Sequence, residues 1–323
     1  MSDGNGEILS LSIVICTYNR PDLVAQVLST LAEQDAPAQA YEALVIDNAS
    51  PGDIAAAVRP FAGRIPGLRC IREEQVGLSH ARNRGYREAR GEYVAYVDDD
   101  CKLPPEWVST ALRVIREVHP VMFGGPAGAF YMTPRPVWFR DAYGSVDFGS
   151  DRGPLIGRSL SGMNMVIRKD ALEDVGGFDP ELGMTGMTMA YGEETALQDR
   201  LRERFGPDAI HIEPGLRVDH LVRPEKMSVL WIIRRRFLGG LYGYRCSAND
   251  PVPGAGALRL RFKMLRIALG FALDIAGAAL IRDRRRYPAL PNYIWEHASY
   301  RLERLGQVCG QLESWNASGT PSV

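Results

Sequence analysis

The chain has 323 residues, of which 46% are hydrophobic and 24% charged, and its formal net charge at pH 7 is −1. This composition is ordinary for a globular protein, with length for one large domain and an appendage or for two domains. A net charge near zero provides no global field for nucleic acid, which is therefore not an expected partner. The odd number of cysteines, without a metal-binding spacing, indicates a reducing cytosol.

Strands and helices alternate at short intervals through the first 120 residues. Apolar runs predict strands at Leu11–Cys16, Tyr41–Ile46, Leu68–Ile71 and Tyr93–Val97. Helical spacing and start signals predict helices at Pro21–Leu31, Asp53–Phe61, Gly77–Arg90 and from Pro104 to about His119. This alternation is typical of parallel β-α-β units and predicts an α/β fold.

The pattern changes after residue 120. Glycine, proline and aromatic residues are frequent between Gly124 and Pro154, which indicates a loop-rich insertion. This insertion either lines a pocket or packs as an ordinary excursion. Beyond it, strands are predicted at Asn164–Arg168, Ala209–Glu213 and Leu216–Val218, and helices at Lys169–Val175 and Gly192–Phe205.

The C-terminal region contains an amphipathic to apolar segment, Leu258–Ile281, with basic residues at both ends. Its most apolar part, Ile267–Ile281, includes Asp274 and is shorter than the ~20 residues of a spanning helix, a length that we expect no segment to reach. Met1–Ser10 has no features of a signal peptide. The basic ends suit an anionic membrane surface, or else they are solvated ends of a helix packed on the main domain.

Three adjacent acidic residues, Asp98, Asp99 and Asp100, follow the apolar strand Tyr93–Val97. Ligands of open α/β sheets bind at the carboxyl ends of the strands. Adjacent carboxylates repel each other and are costly to desolvate, so we expect a cation here. Clustered oxygen ligands suit Mg²⁺ or Mn²⁺, which commonly share their coordination with substrate phosphates. The triplet therefore predicts a metal-diphosphate site; a solvated turn or a helix N-cap is the alternative.

Six motifs together resemble those of family-2 glycosyltransferases with the GT-A fold. In chain order they are Ile13–Arg20, Val45–Ser50, Gly77–Asn83, Asp98–Asp100, Gly176–Asp179 and Gly192–Glu194. The resemblance implies a Rossmann-like mixed, mostly parallel sheet flanked by helices, with a C-terminal helical appendage. It implies a transferase domain at 1–225, with a donor half at about 10–120 and an acceptor half at about 121–225, and a helical region at 226–323.

The resemblance also implies an activity. Enzymes of this family are inverting and move a sugar from a nucleotide diphosphate donor, here by resemblance a UDP-sugar, to a hydroxyl, usually with a divalent metal, Mn²⁺ or Mg²⁺. The acceptor is left open between a glycan, a lipid-linked molecule and a small molecule. We expect a cytoplasmic protein, either free or peripheral on the inner face of the cell membrane.

Two other functions are alternatives to this interpretation. The first is a sugar nucleotidyltransferase, but such enzymes usually carry a glycine-rich basic loop after the first strand, where this chain has Cys16–Pro21. The second is a non-enzymatic, membrane-associated protein that binds nucleotide sugars with a decayed site. The presence of both Asp98–Asp100 and the pair Glu193 and Glu194 argues against decay.

The resemblance assigns donor binding to residues at the strand ends. Thr17, Tyr18 and Arg20 follow the first strand, where the Tyr18 ring can stack on a base. Asp47 ends the second strand and can accept a hydrogen bond from a pyrimidine N–H or a ribose hydroxyl; the alternative is an Asx-turn. Arg82 lies where a glycine loop enters a helix and is expected to meet the diphosphate; the alternative is a solvated helix residue.

The metal ligands implied by the resemblance are Asp98, Asp100 and His220. Asp98 would also approach the ribose, and Asp99 is grouped with the donor-binding residues although alternate residues of an extended segment point apart. His220, expected just after the strand Leu216–Val218, completes the metal shell in some relatives. The alternative for His220 is a structural role.

The general base is expected at the start of the helix Gly192–Phe205. Direct displacement requires a group that takes the proton of the attacking hydroxyl. The family usually has Glu-Asp here with the second residue as base, so the resemblance favours Glu194, with Glu193 in reserve. Stabilisation of the helix dipole by acidic residues in the first turn is the alternative.

Overall fold

The computed structural model describes residues 9–186, 190–246 and 256–317. The chain divides into two compact units. The first comprises Met1–Phe130, Gly144–Met189 and Glu193–Leu221, and the second comprises Tyr131–Tyr143, Ala190–Gly192 and Val222–Val323. Residues 1–8, most of the stretch that is expected to lack signal-peptide features, and residues 187–189 of the expected acceptor half lie outside the described residues.

The described residues form strands and helices that we number in chain order. The strands are β1 (Leu11–Thr17), β2 (Tyr41–Asn48), β3 (Arg69–Glu73), β4 (Tyr93–Asp98), β5 (Cys101–Lys102), β6 (Met122–Gly124), β7 (Ala127–Phe130), β8 (Gly153–Pro154), β9 (Asn164–Arg168), β10 (Ile210–Ile212) and β11 (Val218–Leu221). The α-helices are α1 (Pro21–Leu31), α2 (Ile54–Val58), α3 (Leu78–Glu88), α4 (Trp107–Val118), α5 (Asp141–Gly144), α6 (Lys169–Asp174), α7 (Glu193–Phe205), α8 (Val229–Cys246), α9 (Ala257–Ile281), α10 (Leu290–Tyr293) and α11 (Ser299–Ala317). Short 3₁₀ turns lie at Arg59–Phe61 and Pro224–Met227, and a π-helical turn at Ile294–Ala298.

An eight-stranded sheet in the order β3-β2-β1-β4-β9-β6-β10-β8 organises the first unit. The pairs β1–β2, β1–β4 and β2–β3 are parallel, whereas β9 runs antiparallel to both β4 and β6. Successive side chains of β1 point to opposite faces of the sheet. Ile13 and Ile15 pack in a core with residues of α1 and α4, whereas Val14 packs with residues of α3 and α7. The predicted α/β fold with a mostly parallel sheet flanked by helices is confirmed.

A second, three-stranded sheet in the order β5-β11-β7 adjoins the acidic triplet in the chain. Strand β11 runs antiparallel to β5 and pairs His220 with Cys101. The backbone N–H of Leu221 donates to the carbonyl of Asp100 at 2.9 Å. The prediction that His220 follows a strand was wrong, because β11 runs from Val218 to Leu221 and includes it.

The segment Gly124–Pro154 is less irregular than expected. It begins with the last residue of β6 and contains β7, α5 and β8. These strands are two to four residues long, which is too short for a hydrophobic period to show. Its aromatic residues Phe139 and Tyr143 pack on Trp295 within the second unit, with ring centroids 6.0 and 4.7 Å apart. These contacts favour ordinary packing over a pocket lining.

In the second unit, helices α8 and α11 approach each other at two glycines. A β-carbon on Gly240 would lie 1.8 Å from the carbonyl oxygen of Glu303, and one on Gly306 would lie 2.0 Å from that of Phe237. Contacts this short are impossible, so the absence of side chains at these two positions sets the distance between the helices. Neither position could be singled out from the sequence, because the cause is a non-local contact.

Helix α9 corrects the expectation that no segment is long enough to cross a membrane. Its 25 residues form one continuous helix that is long and apolar enough to span, judged by length and composition alone. Only 11% of the most apolar 18-residue stretch of this helix is buried. The helix therefore differs from a core helix of a soluble protein, most of whose surface is covered.

We expect Gly240→Ala to destabilise the second unit by about 1 to 3 kcal/mol, because the added methyl group must push α8 away from α11. The neighbouring Gly239→Ala is the matched control, since a β-carbon there meets nothing within 4 Å. That control should stabilise the helix by up to about 1 kcal/mol. Thermal unfolding of the full chain measures both variants. Equal melting temperatures for the two would contradict the close approach.

Candidate active site

The carboxyl ends of three parallel strands bring the predicted donor residues together. The strand register places Thr17 of β1 beside Asp47 of β2, and Cys16 of β1 beside Asp98 of β4. Side chains that end neighbouring parallel strands share one edge of the sheet, which is where ligands of open α/β folds bind. Tyr18, the next residue after β1, is partly exposed there.

Asp99 is held by the end of β1 and the residues that follow it. Its carboxylate accepts from the Thr17 hydroxyl at 2.7 Å and from the Arg20 guanidinium at 3.0 Å. Burial and the neighbouring carboxylates raise the pKa of Asp99 to about 6, although Arg20 and the Thr17 hydrogen bond lower it. Asp99 thus contacts predicted donor residues, and it is not part of the carboxylate group that could hold a metal.

Asp47 has two partners that fix its orientation. Its carboxylate accepts from the backbone N–H of Ser50 at 2.9 Å, which lies three residues on and not two as in the expected Asx-turn, and from the Arg72 guanidinium at 2.9 Å. Sequence reasoning missed Arg72. The sequence could not indicate this contact, because it is the register of β2 and β3 in the sheet that pairs Asp47 with Arg72. A turn and a ligand role are compatible, since a carboxylate has about four acceptor positions.

Asp98, Asp100 and His220 form a candidate metal site. One ligand atom from each lies within 4.8 Å of the others, and Nε2 of His220 is 3.2 Å from Oδ1 of Asp100. The pairing of β5 with β11 explains this arrangement, because it carries His220 to the end of the acidic triplet. The Asp98 side chain is 36% exposed, so the site opens to solvent on one side.

The charges of this region fit a divalent cation. Arg20 pairs with Asp99, and Arg82 pairs with Asp98, Glu193 and Glu194, while Asp100 adds a further carboxylate beside His220. Burial raises the pKa of Asp98, with a further contribution from Asp100, while Arg82 opposes it. Carboxylate oxygens with an imidazole suit Mn²⁺ well, and Mg²⁺ accepts the carboxylates. The residues present therefore fit a divalent metal.

The guanidinium of Arg82 connects the triplet to helix α7. It lies 3.1 Å from Glu193 and 3.1 Å from Glu194, and 3.8 Å from the Asp98 carboxylate. The side chain is 2% exposed and packs over the Phe178 ring, 5.2 Å from its centroid. Burial lowers the pKa of Arg82, but the three carboxylates raise it by more, so the group stays charged.

The two candidate bases differ in exposure. The Glu193 side chain is 7% exposed, whereas that of Glu194 is 30% exposed and can be reached from solvent. Burial and the Glu193 charge raise the pKa of Glu194, and Arg82 opposes the shift. Gly162 makes room for this carboxylate, because a β-carbon there would lie 1.9 Å from Oε1 of Glu194. No sequence signal pointed to Gly162.

Two backbone amides at the start of α3 already have partners. The N–H of Gly77 donates to the Asn48 side-chain carbonyl at 2.8 Å, and that of Leu78 donates to the carbonyl of Met184 at 2.8 Å. Gly77 has φ +148°, a conformation that favours glycine. Neither amide is available to a diphosphate in this arrangement. The expected donor contact of Arg82 stays a prediction.

Comparison with known proteins identifies the family. The sequence profile "Glycosyl transferase family 2" matches residues 12–176, about half of the chain. The chain is 28% identical over 242 residues to the succinoglycan biosynthesis protein ExoM of Rhizobium meliloti, covering 72% of this chain and 74% of that protein. It is 25% identical over 241 residues to a glucosyl-dolichyl phosphate glucuronosyltransferase of Haloferax volcanii, covering 72% and 75% respectively.

Solved structures show the same fold at low sequence identity. A mannosyltransferase from Pyrobaculum calidifontis, in complex with GDP-Man and Mn²⁺, superposes with a TM-score of 0.63 at 19% identity, covering 93% of this chain and 86% of that one. Residues 1–349 of S. aureus TarS, in complex with UDP-GlcNAc, superpose with a TM-score of 0.55 at 15% identity, covering 96% and 92%. The chain belongs to glycosyl transferase family 2, has the GT-A fold of these proteins, and is a glycosyltransferase.

Proposed function

We propose that this enzyme carries out metal-dependent, inverting transfer of a sugar from a nucleotide diphosphate sugar to a hydroxyl group. One observation carries the proposal: the Arg82 guanidinium contacts both Asp98 of the candidate metal group and the candidate base Glu194. Inverting transfer needs a stabilised leaving group on one side of the sugar and a base on the other. Family membership leaves no support for the nucleotidyltransferase or the non-enzymatic alternative.

We propose that residues 1–225 act as the transferase domain and that the donor lies at the carboxyl ends of β1, β2 and β4. The Tyr18 ring stacks on the base, and Asp47 accepts from the base or ribose, oriented by Arg72. Thr17 and Arg20 support this site through their contacts with Asp99. A UDP-sugar is proposed from the family resemblance and from the likeness to TarS, which is in complex with UDP-GlcNAc.

Asp98, Asp100 and His220 would hold the metal, Mn²⁺ or Mg²⁺. A bound divalent ion neutralises the negative charge that develops on a leaving diphosphate. Arg82 is too enclosed by Glu193, Glu194 and Asp98 to act as a mobile phosphate ligand in this arrangement. We propose that it supplies fixed positive charge beside the diphosphate while it positions Glu194.

Glu194 is the proposed general base. Its side chain is reachable from solvent, and a raised pKa makes a carboxylate a stronger base for a hydroxyl proton. The more enclosed Glu193 is the reserve, and in this arrangement it holds Arg82 through a contact at 3.1 Å. The fixed position of both carboxylates on one guanidinium limits their motion during the reaction.

We propose a glycan or a lipid-linked molecule as the acceptor. Two relatives are named for succinoglycan biosynthesis and for transfer involving glucosyl-dolichyl phosphate, which are a polysaccharide and a lipid-linked sugar. Both kinds of acceptor offer a sugar hydroxyl to the same base. A cytoplasmic site fits a donor that is a soluble nucleotide sugar.

Nucleotides should stabilise the full chain in a base-specific and metal-dependent manner. A ligand that binds only the native state adds about 2.7 kcal/mol at a hundredfold excess over its Kd. We expect UDP with Mn²⁺ to raise the melting temperature more than UDP with a chelator, and more than GDP or dTDP with Mn²⁺. A larger shift with GDP would reassign the base, and no shift with any of these nucleotides would contradict the donor site.

Asp100→Ala should lower donor turnover at least about a hundredfold and abolish the Mn²⁺ dependence of nucleotide binding, because one of two carboxylate ligands is lost. Asp219→Ala is the matched control, since Asp219 neighbours His220 on β11 but its exposed carboxylate pairs with Arg217. Turnover and the melting shift with UDP and Mn²⁺ are measured for both variants. Full activity of a folded Asp100→Ala protein would refute the metal site.

Glu194→Gln should lower kcat about 10² to 10⁴-fold without weakening UDP binding, because the amide cannot accept the acceptor proton. The base works only when deprotonated, so activity is full above its folded pKa and is lost as the pH falls through it. Because that pKa is raised, we expect the acidic limb of the kcat/KM profile to lie above the range of an ordinary Glu. Glu193→Gln is the comparison: a larger loss there than in Glu194→Gln would exchange the two roles.

A further inference from the structure

Helix α9 carries a continuous line of exposed apolar side chains, which we call the apolar stripe. It consists of Leu258, Phe262, Leu265, Leu269 and Leu273, each between 57% and 68% exposed. Their spacing of three or four residues keeps them on one face of a helix. At about 100° per residue they fall within a sector of roughly 80°. Five large exposed apolar side chains on one face are unusual for a surface exposed to water.

The opposite face of α9 is occupied by α11. Leu260 and Ile267 pack with Val308 of α11 in a small apolar cluster. Asp274 also points to this side, where its carboxylate accepts from the Arg301 guanidinium at 2.6 Å. The one acidic residue of α9 is therefore neutralised away from the stripe. The helix has one face committed to protein and one apolar face exposed in the described second unit.

Basic residues border the apolar stripe. Arg259 and Arg266 lie roughly 60 to 80° from its centre on one side, and Arg261 lies roughly 80° away on the other. All three are exposed. Past the end of the helix, residues 284–286 add three consecutive exposed arginines. Arginine stems can lie along an apolar surface while their charged heads reach anionic lipid headgroups.

We propose that α9 lies in the plane of an anionic membrane surface, with the apolar stripe buried at the headgroup boundary. The occupant follows from the charge pattern, because cations on both sides of an apolar face complement anionic lipid and would oppose a second copy carrying the same cations. The proposal is independent of the proposed reaction.

The in-plane orientation follows from the packing of α9, although its length would allow it to span. Its 25 residues extend about 38 Å, more than the ~30 Å of a bilayer core. A spanning α9 would carry into lipid the Asp274–Arg301 ion pair and the face of α11 that packs on it. Arg259 and Arg261 would need a lipid-exposed position or one at the membrane edge. Lying in the plane leaves the ion pair and the α11 face in protein or water, and it leaves the two arginines at the headgroups.

Vesicle co-sedimentation of the full chain tests the proposal. We expect binding to vesicles of equimolar phosphatidylcholine and phosphatidylglycerol, little binding to phosphatidylcholine alone, and release by high salt. The double variant Leu265→Glu/Leu269→Glu should bind about a hundredfold more weakly, about tenfold for each leucine. Leu230→Glu is the matched control, since Leu230 is 75% exposed on α8 outside the stripe, and it should bind as the unchanged chain does.

A second variant tests the charge contribution. Replacing Arg284, Arg285 and Arg286 by Ala should weaken binding to the anionic vesicles about fivefold for each arginine and reduce its salt dependence. Melting temperatures and donor turnover with a soluble acceptor should be unchanged in every variant, which separates this proposal from the proposed reaction. If one variant has an altered melting temperature, its loss of vesicle binding could come from altered folding, and the other variant then decides the test.

Four results would overturn the proposal. The first is a full chain that stays soluble with both kinds of vesicle, and the second is equal binding to both kinds. The third is a loss of binding in Leu230→Glu as large as in Leu265→Glu/Leu269→Glu. The fourth is a protein that stays on membranes through an alkaline wash and is released only by detergent, as expected of a spanning helix. A dimer that Leu265→Glu/Leu269→Glu dissociates, with no vesicle binding by the unchanged chain, would assign the stripe to a second copy.

Discussion

The ion contacts of one buried guanidinium hold the candidate active site together. The Arg82 side chain extends from helix α3 and contacts carboxylates at the end of β4 and at the start of α7, which are far apart in the chain. These carboxylates would repel one another without a cation between them. Removing one partner of a buried ion pair costs about 3 to 5 kcal/mol, because the remaining charge is uncompensated. The position of α7 relative to the sheet therefore depends on Arg82.

The carboxylates of the acidic triplet Asp98–Asp100 have two different kinds of surroundings. Asp99 turns toward Thr17 and Arg20, so its charge is largely neutralised by protein. Asp98 and Asp100 are grouped with His220 instead, with Nε2 of His220 3.2 Å from Oδ1 of Asp100. Adjacent residues of the same type thus acquire different surroundings. This difference supports a structural role for the middle carboxylate and a ligand role for the outer two.

The second unit is built on a different principle from the first. Its helices meet through glycines on α8 and α11, and one face of α9 packs on α11 while the other stays apolar and exposed. The sequence correctly predicted an apolar segment at α9. It could not predict which apolar residues of α9 face protein, because both faces of the helix are apolar and only packing on α11 distinguishes them.

The sequence by itself determined β1, β2 and β4, whose ends carry the predicted donor residues, because a buried strand reads as a local apolar run and the family motifs stand at strand ends. The short strands β6 and β7 could not be read, since so few residues carry no period. Only the tertiary structure decided which charges meet: Arg72 with Asp47, and Arg82 with Glu194. These pairs join distant segments, and their contacts follow from strand register and helix packing, which no local pattern of residues encodes.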